Sequence, residues 1–542
     1  MMNAFCPAAT ATTRRGFLSL NACTAFAAAG PLLLTPARRS LGARAPKVLG
    51  QTTDPRVEFA AFPGGHAVDA AVATALLATV KAPGQTGVGG YGLSAMVSVD
   101  GGKQMVAIEA NSAAPQAMAA DIFQPDPDGT VKGRINDAGW LSAGVPGVMA
   151  GLQLLIDRFC SVGFAELVKP AISLARDGFP WPESLAKSIA GRPIFRSDPG
   201  SQKLYFRNGS PLPAGERFRN PDLAALLETL AAKNRVDDFY RGGIAAQIAD
   251  GFARNGGLVS SADLANYSAR TPEPLSLQLG DHSVHTPPLT AGGLSVLQML
   301  HAEHALPMDL PRDSGEYLHA VVEIMRMAWR DRLTLLGDFT DAAAPVAVTE
   351  LLSAEYAGRN AQVATAAARE KRILQHPLKA NGQSGTIHIS AADDQGRMIA
   401  LTLTHGNTFG SGVTVEGLGL TLGHGMSRFD PRPGHPNGPG PGKRPLHNMV
   451  PAIVARGGES EFAIGGAGGR KIPNTVFSVL RAAVLSRMPL QNALTTMRMH
   501  TEGTSSLLLT PGTPLQTQES LRTPGYQVSI GAAAAISTAE RL

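Results

Sequence analysis

Cysteine is nearly missing from this chain: three in 542 residues, Cys6, Cys23 and Cys160. Two of them fall in an N-terminal leader, so the mature chain keeps Cys160 alone and cannot close a structural disulfide within one molecule. Acid is missing from residues 1–50, which carry Arg14, Arg15, Arg38, Arg39, Arg44 and Lys47. Without that stretch, 42 basic residues stand against 43 acidic ones, so the formal charge of +5 belongs to the leader. The remainder has no basic stripe and no stacking motif, which excludes nucleic acid as a partner. The histidine spacings match no zinc pattern. Outside the leader no apolar run reaches the roughly 18 residues that a membrane span needs.

What is present is an ordinary globular composition, 44% hydrophobic and 17% charged, with 60 Gly and 39 Pro marking many turns. Residues 1–45 read as a twin-arginine (Tat) export signal and leader. Thr13-Arg14-Arg15-Gly16-Phe17-Leu18 precedes a run of small residues and Leu up to Leu34. Removal after Ala29 or after Ala45 would leave a periplasmic or secreted protein with no stable membrane association. Leu20-Asn21-Ala22-Cys23 is not read as a lipidation box, because the apolar run before it is too short.

The chain is organised around residues 383–412. Thr386, His388 and Ser390 alternate with Ile387, Ile389 and Ala391, which predicts a strand with one polar and one apolar face. Asp393-Asp394-Gln395-Gly396 supplies a turn, and Met398 to Thr404 returns as a second strand with Thr402 and Thr404 on one face. Upstream, Gly64-Gly65-His66-Ala67-Val68-Asp69-Ala70-Ala71 opens an apolar helix with Asp69 at its positive end. Gly87-Val88-Gly89-Gly90 follows no strand at the right spacing, so a dinucleotide fingerprint fails there. Tyr317 to Asp338 has apolar residues at helical spacing. Phe462-Ala463-Ile464-Gly465 is a short strand that runs into Gly466-Ala467-Gly468-Gly469.

In this order the blocks resemble the γ-glutamyltransferases, N-terminal nucleophile hydrolases that cut their own chain before a Thr, over roughly residues 64 to 500. The resemblance implies an α+β fold, a four-layer αββα sandwich. It implies a zymogen cut between Gly385 and Thr386 into a large fragment, 46–385, and a small one, 386–542. The two fragments would stay together as a heterodimer within one αββα domain. Thr386 becomes the nucleophile, Thr404 orients its hydroxyl, and the Gly468 and Gly469 amides hold the oxyanion. The design has a chemical reason: cleavage frees an α-amine, with an unperturbed pKa of about 8, beside a hydroxyl that needs a base. Gly385 has no Cβ and can take the strained geometry of an internal acyl shift. The substrate is a small-molecule amide, and neither metal nor cofactor is needed.

The resemblance breaks at the substrate's head group. Asn111 stands where the family has an Arg for the α-carboxylate, and Gly406 where it has an Asn. Gly425 and Arg428 replace the acidic side, and His447 and Asn448 replace paired serines. An ammonium held 4 Å from a guanidinium is disfavoured by about 4 kcal/mol at an effective dielectric of 20. Arg428 with His405, His424 and His447 is expected to favour an anionic or strongly polar acyl group; Asn111, Arg428, His447 and Asn448 are the candidate substrate contacts. His388 is expected to support the site rather than act as its base. If Arg428 lies on a strand, a two-residue slip would bring Asp430 to its face. The family's additional strand and helix before residue 64 are not found, so the sheet is expected to have an altered edge. Residues 520–542 are unassigned. Three readings follow: an amidohydrolase or acylase with a non-γ-glutamyl acyl group, a true γ-glutamyltransferase or glutathione hydrolase with an altered clamp, and an uncleaved non-enzymatic relative.

Overall fold

A computed structural model describes residues 46–60, 62, 64–127, 129–338, 344–376 and 385–542. The leader, residues 1–45, and most of the run before Thr386, residues 377–384, lie outside the described residues.

Two five-stranded sheets carry the architecture. The first contains β1 (Val48–Thr52), β2 (Gly92–Val99), β3 (Gln104–Asn111), β6 (Thr386–Asp393) and β7 (Met398–Thr404), in the order β1-β6-β7-β2-β3. The second contains β4 (Leu275–Leu279), β5 (His282–Thr286), β8 (Ala452–Arg456), β9 (Glu459–Ala467) and β10 (Ala535–Glu540), in the order β10-β9-β8-β5-β4. All neighbours in both sheets are antiparallel.

Three buried clusters define four layers. Ile387, Ile389 and Leu401 pack with α1 (Ala67–Lys81) and α2 (Val148–Phe159) outside the first sheet. Val454, Phe462 and Ile464 pack with α3 (Gly293–His304), α4 (Gly315–Leu335) and α6 (Lys471–Leu480) outside the second. α5 (Ala354–Arg369) lies against α4. Between the sheets Met96, Ala107, Ala392, Met398, Ile453 and Ala463 form a small third core. This is the expected αββα sandwich.

The alternation along β6 therefore has a different meaning from a surface hairpin. Every residue of β6 is buried. Its isoleucines face the helices, while Thr386, His388 and Ser390 face the other sheet. The polar groups are satisfied there: Ser390 Oγ donates to Ser537 O at 3.1 Å, and Ser98 Oγ meets Ser460 Oγ at 2.6 Å. Gly465 lies directly over His388, and a Cβ on it would fall 2.2 Å from the imidazole. The hairpin turn uses Asp393 as read: its Oδ1 accepts the Gln395 and Arg397 N–H groups at 3.0 and 3.1 Å, and Gly396 takes φ +80°.

One expectation is corrected and one unassigned stretch is placed. A strand does precede residue 64: β1 pairs with β6 at the sheet's edge, Thr52 opposite Ile389. Its five residues were illegible because Gly50 interrupts them, and Gly50 is required by the Phe59 ring, which lies 2.2 Å from where a Cβ would be. Residues 520–542 contain β10, which closes the other sheet against β9. Asp69 proves to be more than a dipole partner: with His66 it forms a capping box, and it also accepts the Ser161 N–H and hydroxyl.

Candidate active site

Thr386 opens β6 and Thr404 closes β7, and the antiparallel register places them opposite each other. Their hydroxyl oxygens are 3.0 Å apart. Thr404 Oγ1 also meets the Gly385 carbonyl oxygen and the Gly406 N–H, the latter at 2.7 Å. A hydroxyl has one proton and two lone pairs. A carbonyl can only accept and an amide N–H can only donate. Thr404 therefore gives its proton to Gly385 O, accepts from Gly406, and has one lone pair left for the Thr386 proton. This assignment turns the Thr386 proton toward Thr404 and polarises the carbonyl of the bond that precedes Thr386. Thr404 is 1% exposed, so no water competes for these bonds.

Gly385 has φ +123°, and a Cβ there would lie 2.4 Å from the Asn407 carbonyl carbon, so only glycine fits. The Thr386 N–H donates to Gln85 Oε1 at 3.0 Å, and Gln85 O accepts from His405 N–H at 2.9 Å. Sequence reasoning missed Gln85; its one signal was its place in the glycine-rich turn.

Gly468 and Gly469 follow β9. Ser460 on β9 lies level with Ser98, and Gly465 lies level with His388. The strand thus runs toward the Thr386 end of β6, and the two glycines lie just past its end. Their φ values are +150° and +62°. α6 begins two residues later at Lys471, so its positive end points at the same place.

The histidines do not form the expected cationic group. His388 bonds Thr402 Oγ1 at 2.7 Å and Ser390 Oγ at 3.1 Å, and burial pushes its pKa down to about 3. His405 is likewise pushed to about 3, and burial drives His424 well below its usual range, with Arg428's charge adding to it. Burial keeps all three neutral at physiological pH, and the His388 ring lies against Gly465 of the facing sheet.

Of the candidate substrate contacts, Asn111 ends β3 with its amide already committed. It donates to Pro445 O at 2.5 Å and Thr290 Oγ1 at 3.2 Å, and its oxygen accepts the Ser112 N–H. His447 Nε2 meets Glu109 Oε1 at 3.3 Å, and Asn448 beside it is half-buried. Arg428 ends a 3₁₀ turn, Gly425–Arg428, and not a strand, so the two-residue periodicity that would put Asp430 on its face does not apply. Asp430 instead pairs with Arg432 at 2.7 Å. Arg428 donates to Gly406 O and sits 5.8 Å from the Tyr91 ring centre. Gly406 itself has φ +89°, and a Cβ there would lie 2.7 Å from His424 and 2.8 Å from Tyr91. Among the described residues no three His, Cys, Asp or Glu converge as metal ligands.

Residues 62–541 match the profile of the family described as gamma-glutamyltranspeptidase. The chain is 30% identical over 452 residues to a glutathione hydrolase proenzyme of Escherichia coli K12, an alignment covering 81% of this chain and 77% of that one. It is 31% identical over 473 residues to the acylase ACY 1 proenzyme of Pseudomonas sp. strain V22, covering 86% and 83%. In fold it superposes on the cephalosporin acylase of Bacillus halodurans with a TM-score of 0.78 at 23% identity, covering 94% and 96%.

Proposed function

The chain belongs to the gamma-glutamyltranspeptidase family and is an N-terminal nucleophile hydrolase, and on that premise we propose that it is an exported, self-processing amidohydrolase whose acyl group is not γ-glutamyl. The observation that carries this reading is the hydrogen-bond assignment at Thr404, which prepares both the attacking hydroxyl and the attacked carbonyl.

In the first stage Thr386 Oγ attacks the Gly385 carbonyl carbon. Thr404 O–H steadies the oxygen as it gains charge. The C–N bond breaks, the hydroxyl proton passes to the leaving nitrogen, and an ester joins Gly385 to Thr386. Water hydrolyses the ester, leaving a Gly385 carboxylate and a free Thr386 α-amine. In the second stage that amine takes the hydroxyl proton while Oγ attacks a substrate amide. The Gly468 and Gly469 N–H groups, at the positive end of α6, hold the oxyanion. The substrate's amine leaves with the proton, and water releases the acid from the acyl-enzyme. Fragments 46–385 and 386–542 remain interleaved, because β6 lies between β1 and β7 in one sheet.

A non-γ-glutamyl acyl group is supported by three residues. The Asn111 amide is occupied, Gly406 leaves no room for a polar side chain, and Arg428 stands in the sequence where the family has an acidic residue. Likeness to glutathione hydrolases at 30% identity favours a second reading, true γ-glutamyl transfer through a reorganised clamp. Turnover of a γ-glutamyl anilide decides between them. We expect little or none from a protein that is nonetheless cut before Thr386; turnover comparable with other amides would establish the second reading. A Thr386→Ala protein that hydrolysed amides as well as the unaltered one would overturn both.

A further inference from the structure

Thr386 opens β6, and its N–H donates to the side chain of Gln85, to Oε1 at 3.0 Å. This nitrogen leaves Gly385 when the chain is cut and then becomes the base of the mature enzyme, so its neighbour bears on both stages. An amide N–H needs an acceptor. That fixes the Gln85 amide with its oxygen, and not its NH2, toward Thr386.

The backbone holds Gln85 in place. It lies just past α1, where its N–H donates to Ala82 O at 2.8 Å and its carbonyl accepts the His405 N–H at 2.9 Å. Gly84 O accepts the Phe409 N–H at 3.1 Å. The turn is thereby stitched to the loop that follows Thr404. A Cβ on Gly87 would fall 2.5 Å from His405 Nε2, so the next part of the turn lies against the same loop. The charges around this point are cationic or already paired. Arg428 donates to Gly406 O and has Asp137 among the charges acting on it. Arg470 follows Gly469 and pairs with Glu502 at 2.9 Å. Arg332, in the last turn of α4, is 1% exposed and donates to His447 O and Ala291 O. His405 and His424 are neutral. Among the described residues no carboxylate bonds Thr386 or Gln85.

We propose that Gln85 is a positioning residue that holds the Thr386 nitrogen through both stages, first as the amide N–H of the precursor and then as the α-amine of the mature enzyme. This rests on the self-processing reading above and adds a residue to it. In the precursor Gln85 keeps the existing N–H, so the proton from Thr386 Oγ arrives on the lone pair that the breaking C–N bond releases. After the cut, Ile387 to Asp393 keep their partners on β1 and β7, and the nitrogen stays beside Gln85. Oε1 can take only an N–H. The lone pair of the neutral amine is therefore turned away from Gln85 and left for the hydroxyl. A neutral acceptor suits this task, because a carboxylate in its place would hold the amine as an ammonium, which is no base.

The test compares unaltered protein with Gln85→Glu and Gln85→Leu. Glu keeps an acceptor at the same reach, so its precursor should self-cleave within about tenfold of the unaltered rate on a denaturing gel. Leu offers none and should slow cleavage about tenfold or more. The second readout is the α-amine itself. Acetic anhydride labels only the neutral amine, and the labelled peptide that begins at Thr386 is counted by mass spectrometry across a pH series. A carboxylate beside an ammonium raises its pKa by about 1–3 units, so the Gln85→Glu labelling curve should move up by that much. A merely structural role for residue 85 would not move it. An unmoved labelling curve in Gln85→Glu would overturn the proposal, and so would Gln85→Leu cleaving at the unaltered rate. If the Leu variant does not fold, Glu decides alone: a Glu precursor that melts like the unaltered protein yet stays uncut would also overturn it. Failure of the underlying reading looks different, because the unaltered protein would then show one mass, uncut before Thr386, whatever the variants do.

Discussion

Replacing Thr404 by Val removes the group on which the first stage depends and keeps the side chain's shape. The side chain is 1% exposed, and the methyl that replaces Oγ1 must draw back from Gly385 O and Gly406 N, which lie at hydrogen-bond distance. Three bonds go with the hydroxyl: to Gly385 O, to Thr386 Oγ1 and from Gly406 N–H. The bond to Gly385 O acts on the carbonyl oxygen that becomes an oxyanion. Loss of such a donor costs about 3–4 kcal/mol of activation energy, or 10²- to 10³-fold in rate. The Gly406 N–H left without an acceptor costs about 1–3 kcal/mol of stability, a separate effect read from a melting curve. Thr404→Ser keeps the hydroxyl and should self-cleave within about tenfold of the unaltered rate. The assay is a time course of freshly purified precursor on a denaturing gel, with Thr404→Val and Thr404→Ser side by side. Self-cleavage of Thr404→Val at the unaltered rate would refute the assignment. So would a Ser variant as slow as the Val variant.

Gly465→Ala puts a methyl 2.2 Å from the His388 ring and must push the sheets apart; a loss of about 1–3 kcal/mol in denaturant unfolding is expected. Gly406→Asn restores the family's residue type, but its Cβ meets His424 and Tyr91 below 3 Å at φ +89°, so it should destabilise the fold and gain no γ-glutamyl hydrolysis, as melting temperature and anilide turnover would report. His388 and His405 are held neutral with pKa values near 3, whereas the unfolded chain's histidines protonate near 6.5. Between these values the unfolded state binds more protons, so stability falls as pH drops, by about 1.4 kcal/mol per pH unit for each histidine. Urea midpoints measured from pH 7 to pH 4 should follow that slope, and a flat profile would contradict it.

The hairpin that carries Thr386 was legible because two signals agreed in one stretch. Strict alternation from Thr386 to Ala391 set the faces, and Asp393 with Gly396 set the turn, which together fix Thr386 opposite Thr404. What the alternation could not reveal was that the polar face lies against another sheet, since His388 and Ser390 are covered by Gly465 and Ser537 from strands far along the chain. β1 was hidden by Gly50, a residue chosen for the Phe59 ring and not for strand propensity. β10 lies in an alanine-rich tail with little pattern of its own, and its strand character comes from pairing with β9. His405 and His424 were grouped with Arg428 because they lie near it in sequence; their neutrality follows from burial, which is a property of the whole fold. Arg332 was hidden for the converse reason. It falls on a long helix where charged residues usually face water, yet the segment holding His447 covers it. Gln85 and Arg470 needed three-dimensional neighbours to acquire any meaning at all.

An intact-mass spectrum of the purified protein under denaturing conditions bears most directly on the claim that Thr386 is made into a nucleophile by a cut before it. The account predicts two species, one of which begins at Thr386 and ends at Leu542, and a single uncut species for Thr386→Ala. An unaltered protein that hydrolyses amides while its chain stays whole across residues 385 and 386 would contradict it.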